Sequence, residues 1–429
     1  MRKILTLMLS VSMSVSMLWS CGESSRGYHI DGIDDNGDCG CEGYCTDGCD
    51  GDCGAPEGRT APHAMLLYFV GTGLDYYFGN NVAAAMSAVD KGIPGDNRMA
   101  YFRRVSGGEW AITEIYYDCK SRKAALRELR RYPAADLRRM DLFLRDMTEL
   151  VPAESYGVVF GGHGSAWIPR DIGTSWSTTY AAMQPHEYVM PFGEAPSEGA
   201  APTRYFGETS VNFDIGEIAD NMLATGAKFD YVLFDDCFMS NIETLYTMRH
   251  AADYIIASPC EIMGAGFPYA LVTPCLAGGE YDFEGACRAF YDYYENDSYP
   301  SGCVALTVCS ELEALAEAYR NLLSGPTTAV ESAELQYYEG LSRHLFYDFG
   351  QYAAKLSADP ALLDEFERQF DRAFPPSCRL HTESFYSNYG GGRFHRIDSY
   401  SGVTISEPAG RNEELNRQTE WYRATHGEQ

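Results

Sequence analysis

Three predominantly apolar runs, at 65–70, 156–160 and 229–234, are each followed by glycine or aspartate. A run of this kind suits a strand buried on both faces, an environment found in parallel sheets flanked by helices. The segments around them alternate accordingly. Residues 81–89 are Ala-rich and read as a helix, 99–105 and 111–117 as further strands, 122–131 and 140–150 as charged helical stretches, and 241–249 carries helical spacing. Buried strands separated by helices predict an α/β fold with a mainly parallel central sheet covered on both faces. Ligands of such sheets bind beyond the carboxyl ends of the strands. Two residues with useful chemistry fall there: His163 after the second run, and Cys237 after the third.

A thiol titrates near 8.5 and needs a neighbouring base or cation to become a nucleophile. His163 supplies a base if the two strands are neighbours, and a helix expected just after Cys237 acts in the same direction. The glycines around His163 allow close backbone approach to a substrate, so the N–H groups of Gly164 and Cys237 are candidates for an oxyanion hole. Taken singly, the histidine reads as a turn residue and the cysteine as core. Their shared position at the ends of apolar strands is what points to catalysis.

The remainder of the chain bounds the reading. Arg2 and Lys3 precede an apolar stretch to Trp19, the layout of a bacterial export signal, and Leu18-Trp19-Ser20-Cys21 resembles the lipobox of bacterial lipoproteins. The expectation is a signal peptide over 1–20 and a lipid anchor on Cys21, which places the protein in the cell envelope at the outer membrane or cell surface. No other segment is apolar enough to span a bilayer. Residues 21–60 read as a tether: nine carboxylates lie between Asp31 and Glu57 with few aliphatic side chains to offset chain entropy. The tether cysteines, Cys39, Cys41, Cys45, Cys49 and Cys53, match no standard zinc pair and are odd in number. Asp34, Asn36 and Asp38 begin like a calcium loop, but Cys39 stands where the loop requires glycine. The net charge of −28 argues against nucleic acid as a partner. About a third of it belongs to the tether and carries no information about a substrate.

Gly162-His163-Gly164-Ser165-Ala166-Trp167 and Phe234-Asp235-Asp236-Cys237-Phe238-Met239-Ser240, followed by Glu243, resemble the two catalytic blocks of the clostripain family of cysteine peptidases. Gly266-Phe267-Pro268-Tyr269, Asp348-Phe349-Gly350, residues 401–405 and Trp421-Tyr422 extend the resemblance from about residue 61 to the end. It implies a caspase-like α/β/α sandwich over 61–300, to which the reading adds a smaller C-terminal α/β subdomain over 301–429. It also implies a thioacyl-enzyme mechanism on protein or peptide substrates, with His163 as general acid/base and Cys237 as nucleophile. Asp235 would orient the dyad or line the pocket for the residue before the scissile bond (P1), with Glu261 a further acid nearby. A basic P1 residue is the expectation, although 264–268 offers no carboxylate. The resemblance makes Ca2+ a possible cofactor, and no other is implied.

Residues 168–205, rich in Pro, Gly, Ser and Trp, read as a lid, a pocket wall or a processing site, with Arg170 and Arg204 as candidates for self-cleavage; an intact surface loop is the alternative. Cys119, Cys260, Cys275, Cys287, Cys303, Cys309 and Cys378 show no metal-ligand spacing and read as packing residues. The histidines at 63, 186, 250, 344 and 381 read as structural. Two functions follow: a membrane-anchored cysteine peptidase, or a catalytically silent surface lipoprotein that uses the same fold to bind protein or glycan. The presence of both His163 and Cys237 favours the enzyme.

Overall fold

In the computed structural model, the described residues are 60–71, 73–91, 97–118, 121–169, 213–410 and 412–427. The expected signal peptide, Cys21, the cysteines of the expected tether, Cys119, Arg170 and Arg204 lie outside them.

The apolar runs become β1 (Ala61–Phe69), β5 (Ala153–Gly161) and β6 (Phe229–Asp235). Together with β2 (Arg98–Arg104) and β7 (Tyr254–Ala257) they form a parallel core in the order β2-β1-β5-β6-β7. Antiparallel strands complete the sheet to nine. On one side these are β3 (Trp110–Asp118) and β4 (Lys123–Tyr132), and on the other β8 (Cys303–Val308) and β10 (Leu380–His381). The two-residue strand β9 (Tyr347–Asp348) lies outside this sheet.

Side chains of a strand alternate between faces, and the cores follow that alternation. Leu66 and Tyr68 of β1, Val158 and Phe160 of β5, and Val232 and Phe234 of β6 enter one core. The helices α2 (Met140–Leu150), α3 (Ile215–Ala224), α4 (Ile242–Met248), α7 (Leu312–Ser324), α8 (Phe349–Leu356), α9 (Pro360–Ala373) and α10 (Glu420–His426) contribute to it. Leu67 and Phe69, Val159, and Tyr231 and Leu233 enter the opposite core, under α1 (Asp75–Val89), α5 (Tyr269–Leu276) and α6 (Phe283–Glu295). The result is the expected three-layer sandwich around a mainly parallel sheet.

One expectation changes. Residues 122–131 have the Ala, Leu, Glu and Arg content of a helix, yet they form the edge strand β4. Cross-strand pairing overrides helix propensity here. Glu114 of β3 is buried and receives Arg98 Nε at 2.7 Å from β2 and Arg127 Nη2 at 2.5 Å from β4, so the charges form a rung across three strands. Strands β8 and β10, from beyond residue 300, extend the same sheet.

At the amino-terminal end of the parallel strands, buried His63 Nδ1 lies 3.2 Å from Ser155 Oγ on β5 and 3.0 Å from Tyr281 Oη, which donates to Asp230 of β6 at 2.5 Å. Burial pushes the imidazole pKa down to about 4, against the pull of Asp230. Its folded value lies below its unfolded value of about 6.5, so this contribution is complete above pH 6.5 and is lost as pH falls through 4. Denaturant titrations should show stability falling across that window by on the order of 3 kcal/mol from this group. His63→Gln should flatten the decline, with His395, also held near 4 chiefly by burial, supplying the remainder. Parallel pH curves for the two proteins would contradict the assignment.

Candidate active site

The β5–β6 ladder sets the site. Gly161 pairs with Asp235, so His163 and Cys237 each stand two residues beyond one rung of a parallel pair. Neighbouring strands run about 4.8 Å apart, and both loops therefore leave the sheet side by side. Only glycine allows them to close further. A Cβ at Gly164 would stand 2.1 Å from the Cys237 carbonyl oxygen and 2.9 Å from its nitrogen; one at Gly162 would stand 2.5 Å from Val70 O. The His163 loop thus lies directly on the cysteine backbone, with the end of β1 closing the other side.

Each loop contains one non-glycine residue in the left-handed region, Ala166 at φ 53° and Phe238 at φ 66°. Such conformations cost roughly 1–3 kcal/mol and persist where surrounding packing over-determines them. Phe238 is fully buried and stacks on Phe346 with ring centroids 5.2 Å apart. Trp167 is buried beside Ala166 and donates its indole N–H to Ser406 Oγ at 2.8 Å.

Contacts distant in sequence hold the cysteine loop. Ser240 Oγ donates to Gly402 O at 2.7 Å, and Thr404 N–H to Ser240 O at 3.0 Å, on strand β13 (Thr404–Ile405). Asn241 caps α4 by accepting from Thr244 N–H at 3.2 Å. Glu243 accepts from Ser406 N–H and Asn416 Nδ2, both at 2.9 Å, and burial raises its pKa to about 7. Strand β13 pairs with β9, whose Asp348 accepts from Ser401 N–H at 2.7 Å. The late sequence blocks therefore assemble behind the cysteine.

Cys237 is fully enclosed. Its Sγ accepts the Ile262 N–H at 3.3 Å, and its thiol lies 3.9 Å from the Ile262 carbonyl. Burial, then the charge of Glu261, pushes the thiol well above its ordinary pKa; the Ile262 N–H partly opposes this, and Asp236 adds to it. The expected helix assistance is displaced, because α4 begins at Ile242 and the cysteine sits on the loop before it. The Ile262 peptide supplies the favourable dipole, and nothing in the local sequence identifies it.

Asp235 is buried and accepts from Phe267 N–H at 3.1 Å and Tyr269 Oη at 2.7 Å, which fixes the 266–269 turn. Glu261 accepts from Ser387 Oγ and from Asn388 N–H at 3.0 Å. His163, Gly164 and Asp236 line a small cavity with Tyr68, Phe213 and Met239. Among the described residues no group of three or more His, Cys, Asp or Glu converges as a metal site.

The clostripain family profile matches residues 203–395. A solved secreted C11 cysteine protease from Bacteroides thetaiotaomicron, iotapain, is 31% identical with a TM-score of 0.73, over 86% of this chain and 100% of that one. An inactive zymogen C11 protease from Parabacteroides distasonis is 25% identical with a TM-score of 0.69, over 86% and 99%. A secreted C11 cysteine protease from B. thetaiotaomicron, solved with an irreversible peptide inhibitor, shares the fold at 22% identity and a TM-score of 0.70, over 86% and 100%. No curated protein sequence gives a significant match. The chain belongs to the clostripain family of cysteine peptidases.

Gly164→Ala tests the contact between the loops. Driving them apart by about 1 Å should lower kcat/KM at least 100-fold, with the melting temperature changed by only a few degrees. Activity within threefold of the parent would show that the contact is dispensable.

Proposed function

We propose that His163 and Cys237 form the catalytic dyad of this cysteine peptidase. The observation that carries the reading is the β5–β6 register, with Gly164 resting on the Cys237 backbone. The Cys237 thiolate attacks the scissile carbonyl, and His163 protonates the leaving amine and then activates water. The Gly164 and Cys237 N–H groups stabilise the oxyanion. Ile262 N–H, already directed at Sγ, favours the thiolate. Cys237→Ala and His163→Ala should each remove most turnover of arginyl or lysyl reporters while leaving substrate binding largely intact. A peptide chloromethylketone should label Cys237 ahead of the other cysteines. Full activity in Cys237→Ala would overturn the dyad and favour the silent binding module.

A basic P1 residue is the substrate class this reading favours. Burial, then the charge of Glu261 and more weakly that of Asp236, push the thiol pKa up, and Asp235 adds a third carboxylate at the base of the same loop. A cationic side chain entering this field would be attracted, and it would lower the thiol pKa as it binds. Peptide-library profiling should return Arg or Lys at P1. A small or apolar preference would remove the proposal and leave Asp235 as the residue that holds the 266–269 turn.

Self-cleavage after Arg170 or Arg204, and export with a lipid anchor on Cys21, complete the reading. They rest on the sequence between the dyad residues, on the lipobox-like start, and on a relative described as secreted. Intact-mass measurement should show two chains for the parent and one for Cys237→Ala. Identical integrity would exclude self-cleavage.

A further inference from the structure

The wall beside the thiol is tied to the cysteine strand and loop at both ends and to α1 in the middle. Ile262 N–H faces Cys237 Sγ at 3.3 Å, and Phe267 N–H donates to Asp235 at 3.1 Å. Between them, Asn81 of α1 donates its side-chain amide to Ala265 O at 2.8 Å. One turn earlier on the same helix, the Tyr77 ring lies against Gly264: a Cβ there would stand 2.8 Å from the ring and 3.1 Å from its hydroxyl. The chain entering this helix also meets the histidine loop, because a Cβ at Gly71 would stand 3.2 Å from Gly162 Cα. Gly71 thus borders the histidine loop, and Tyr77 borders the wall beside the thiol.

We propose that Tyr77 is a specificity-determining residue whose ring forms one wall of the P1 pocket. The inference rests on the reading of Cys237 as the nucleophile, which puts the scissile carbonyl at Sγ. Gly264 lies two residues beyond the peptide that faces Sγ, and two residues of chain span at most about 7 Å. A long side chain leaving the acylated residue covers that distance. Tyr77 is half-buried, held against backbone at Gly264, and Tyr76, 74% exposed, packs edge-on to it at a centroid distance of 5.5 Å. A ring fixed in this way offers a preorganised surface, so little side-chain freedom is lost when a substrate packs on it.

An aromatic wall with carboxylates nearby selects by shape and charge together. The aliphatic stem of an arginine or lysine packs along apolar surface, and its cationic head is attracted by the face of the ring as well as by the acids around the thiol. A short P1 side chain such as alanine does not reach the ring. Tyr77 therefore acts on the binding of long P1 side chains and not on thiolate attack, so its loss should appear in KM rather than in kcat. The absence of a side chain at Gly264 belongs to the same device, since a Cβ there would push the ring off the wall.

The test is steady-state kinetics on reporter peptides that differ only at P1, carrying Arg, Lys, Leu or Ala, for the active parent, Tyr77→Ala, Tyr77→Phe and Gly264→Ala. Tyr77→Ala is expected to raise KM for the Arg and Lys reporters roughly tenfold, with kcat within about threefold and the Ala reporter unchanged. Tyr77→Phe, which restores the ring, should recover the parent's KM. Gly264→Ala, which displaces the ring without removing it, should weaken the same two reporters. An unchanged P1 profile in Tyr77→Ala, or an equal loss on all four reporters, would overturn the proposal. If Tyr77→Ala fails to fold, the Gly264→Ala profile decides by the same criteria. The parent's own ranking of the reporters tests the basic-P1 reading separately: a parent that favours Leu would remove that reading, and the role of Tyr77 would then show as a KM increase confined to Leu.

Discussion

Gly161 faces Asp235 across the β5–β6 ladder, and the site follows from that one rung. The parallel register brings a histidine loop and a cysteine loop off the sheet at the same height. Glycines at 162 and 164 let those loops touch through backbone atoms rather than side chains. A shift of one residue in the pairing would exchange the two core faces of β6 as well as move the cysteine, so the packing that specifies the fold also specifies the site. Left-handed Ala166 and Phe238 fit the same picture: the strain lies in the two loops that meet, and buried aromatic contacts hold it there.

The Cys237 thiol is held by a balance of opposing influences. Burial and the charge of Glu261 keep the thiol protonated, while the Ile262 N–H favours its ionised form. The acids around the cysteine also have structural partners. Asp235 fixes the 266–269 turn, and Glu261 ties the end of β11 (Ser384–Ser387) to the wall beside the thiol. One set of carboxylates therefore joins packing, thiol ionisation and the proposed attraction for a cationic side chain.

The C-terminal third supports both loops of the site. Ser406 receives Trp167 from the histidine loop and donates its N–H to Glu243 behind the cysteine loop, so both halves of the site rest on one short strand and the turn after it. Trp421 adds a packing contact to the same wall, lying 5.5 Å from the Tyr246 ring and 5.6 Å from that of Phe349.

The sequence by itself determined the sheet and the two residues at its carboxyl edge, because a doubly buried strand has to be written as a continuous apolar run and its end is marked by glycine or aspartate. His163, Gly164 and Cys237 were legible for that reason, and the charged stretch at 140–150 was legible as a helix. Local propensity failed at 123–132, where a helix-forming composition became a strand because Arg98, Glu114 and Arg127 pair across three strands. Only the tertiary structure decided that Ile262 serves the thiol, that Asp235 holds a turn and that Ser406 braces both loops. These pairings span 25 to 239 residues in sequence where they are closest to the site, and no local pattern encodes a contact created by chain crossing.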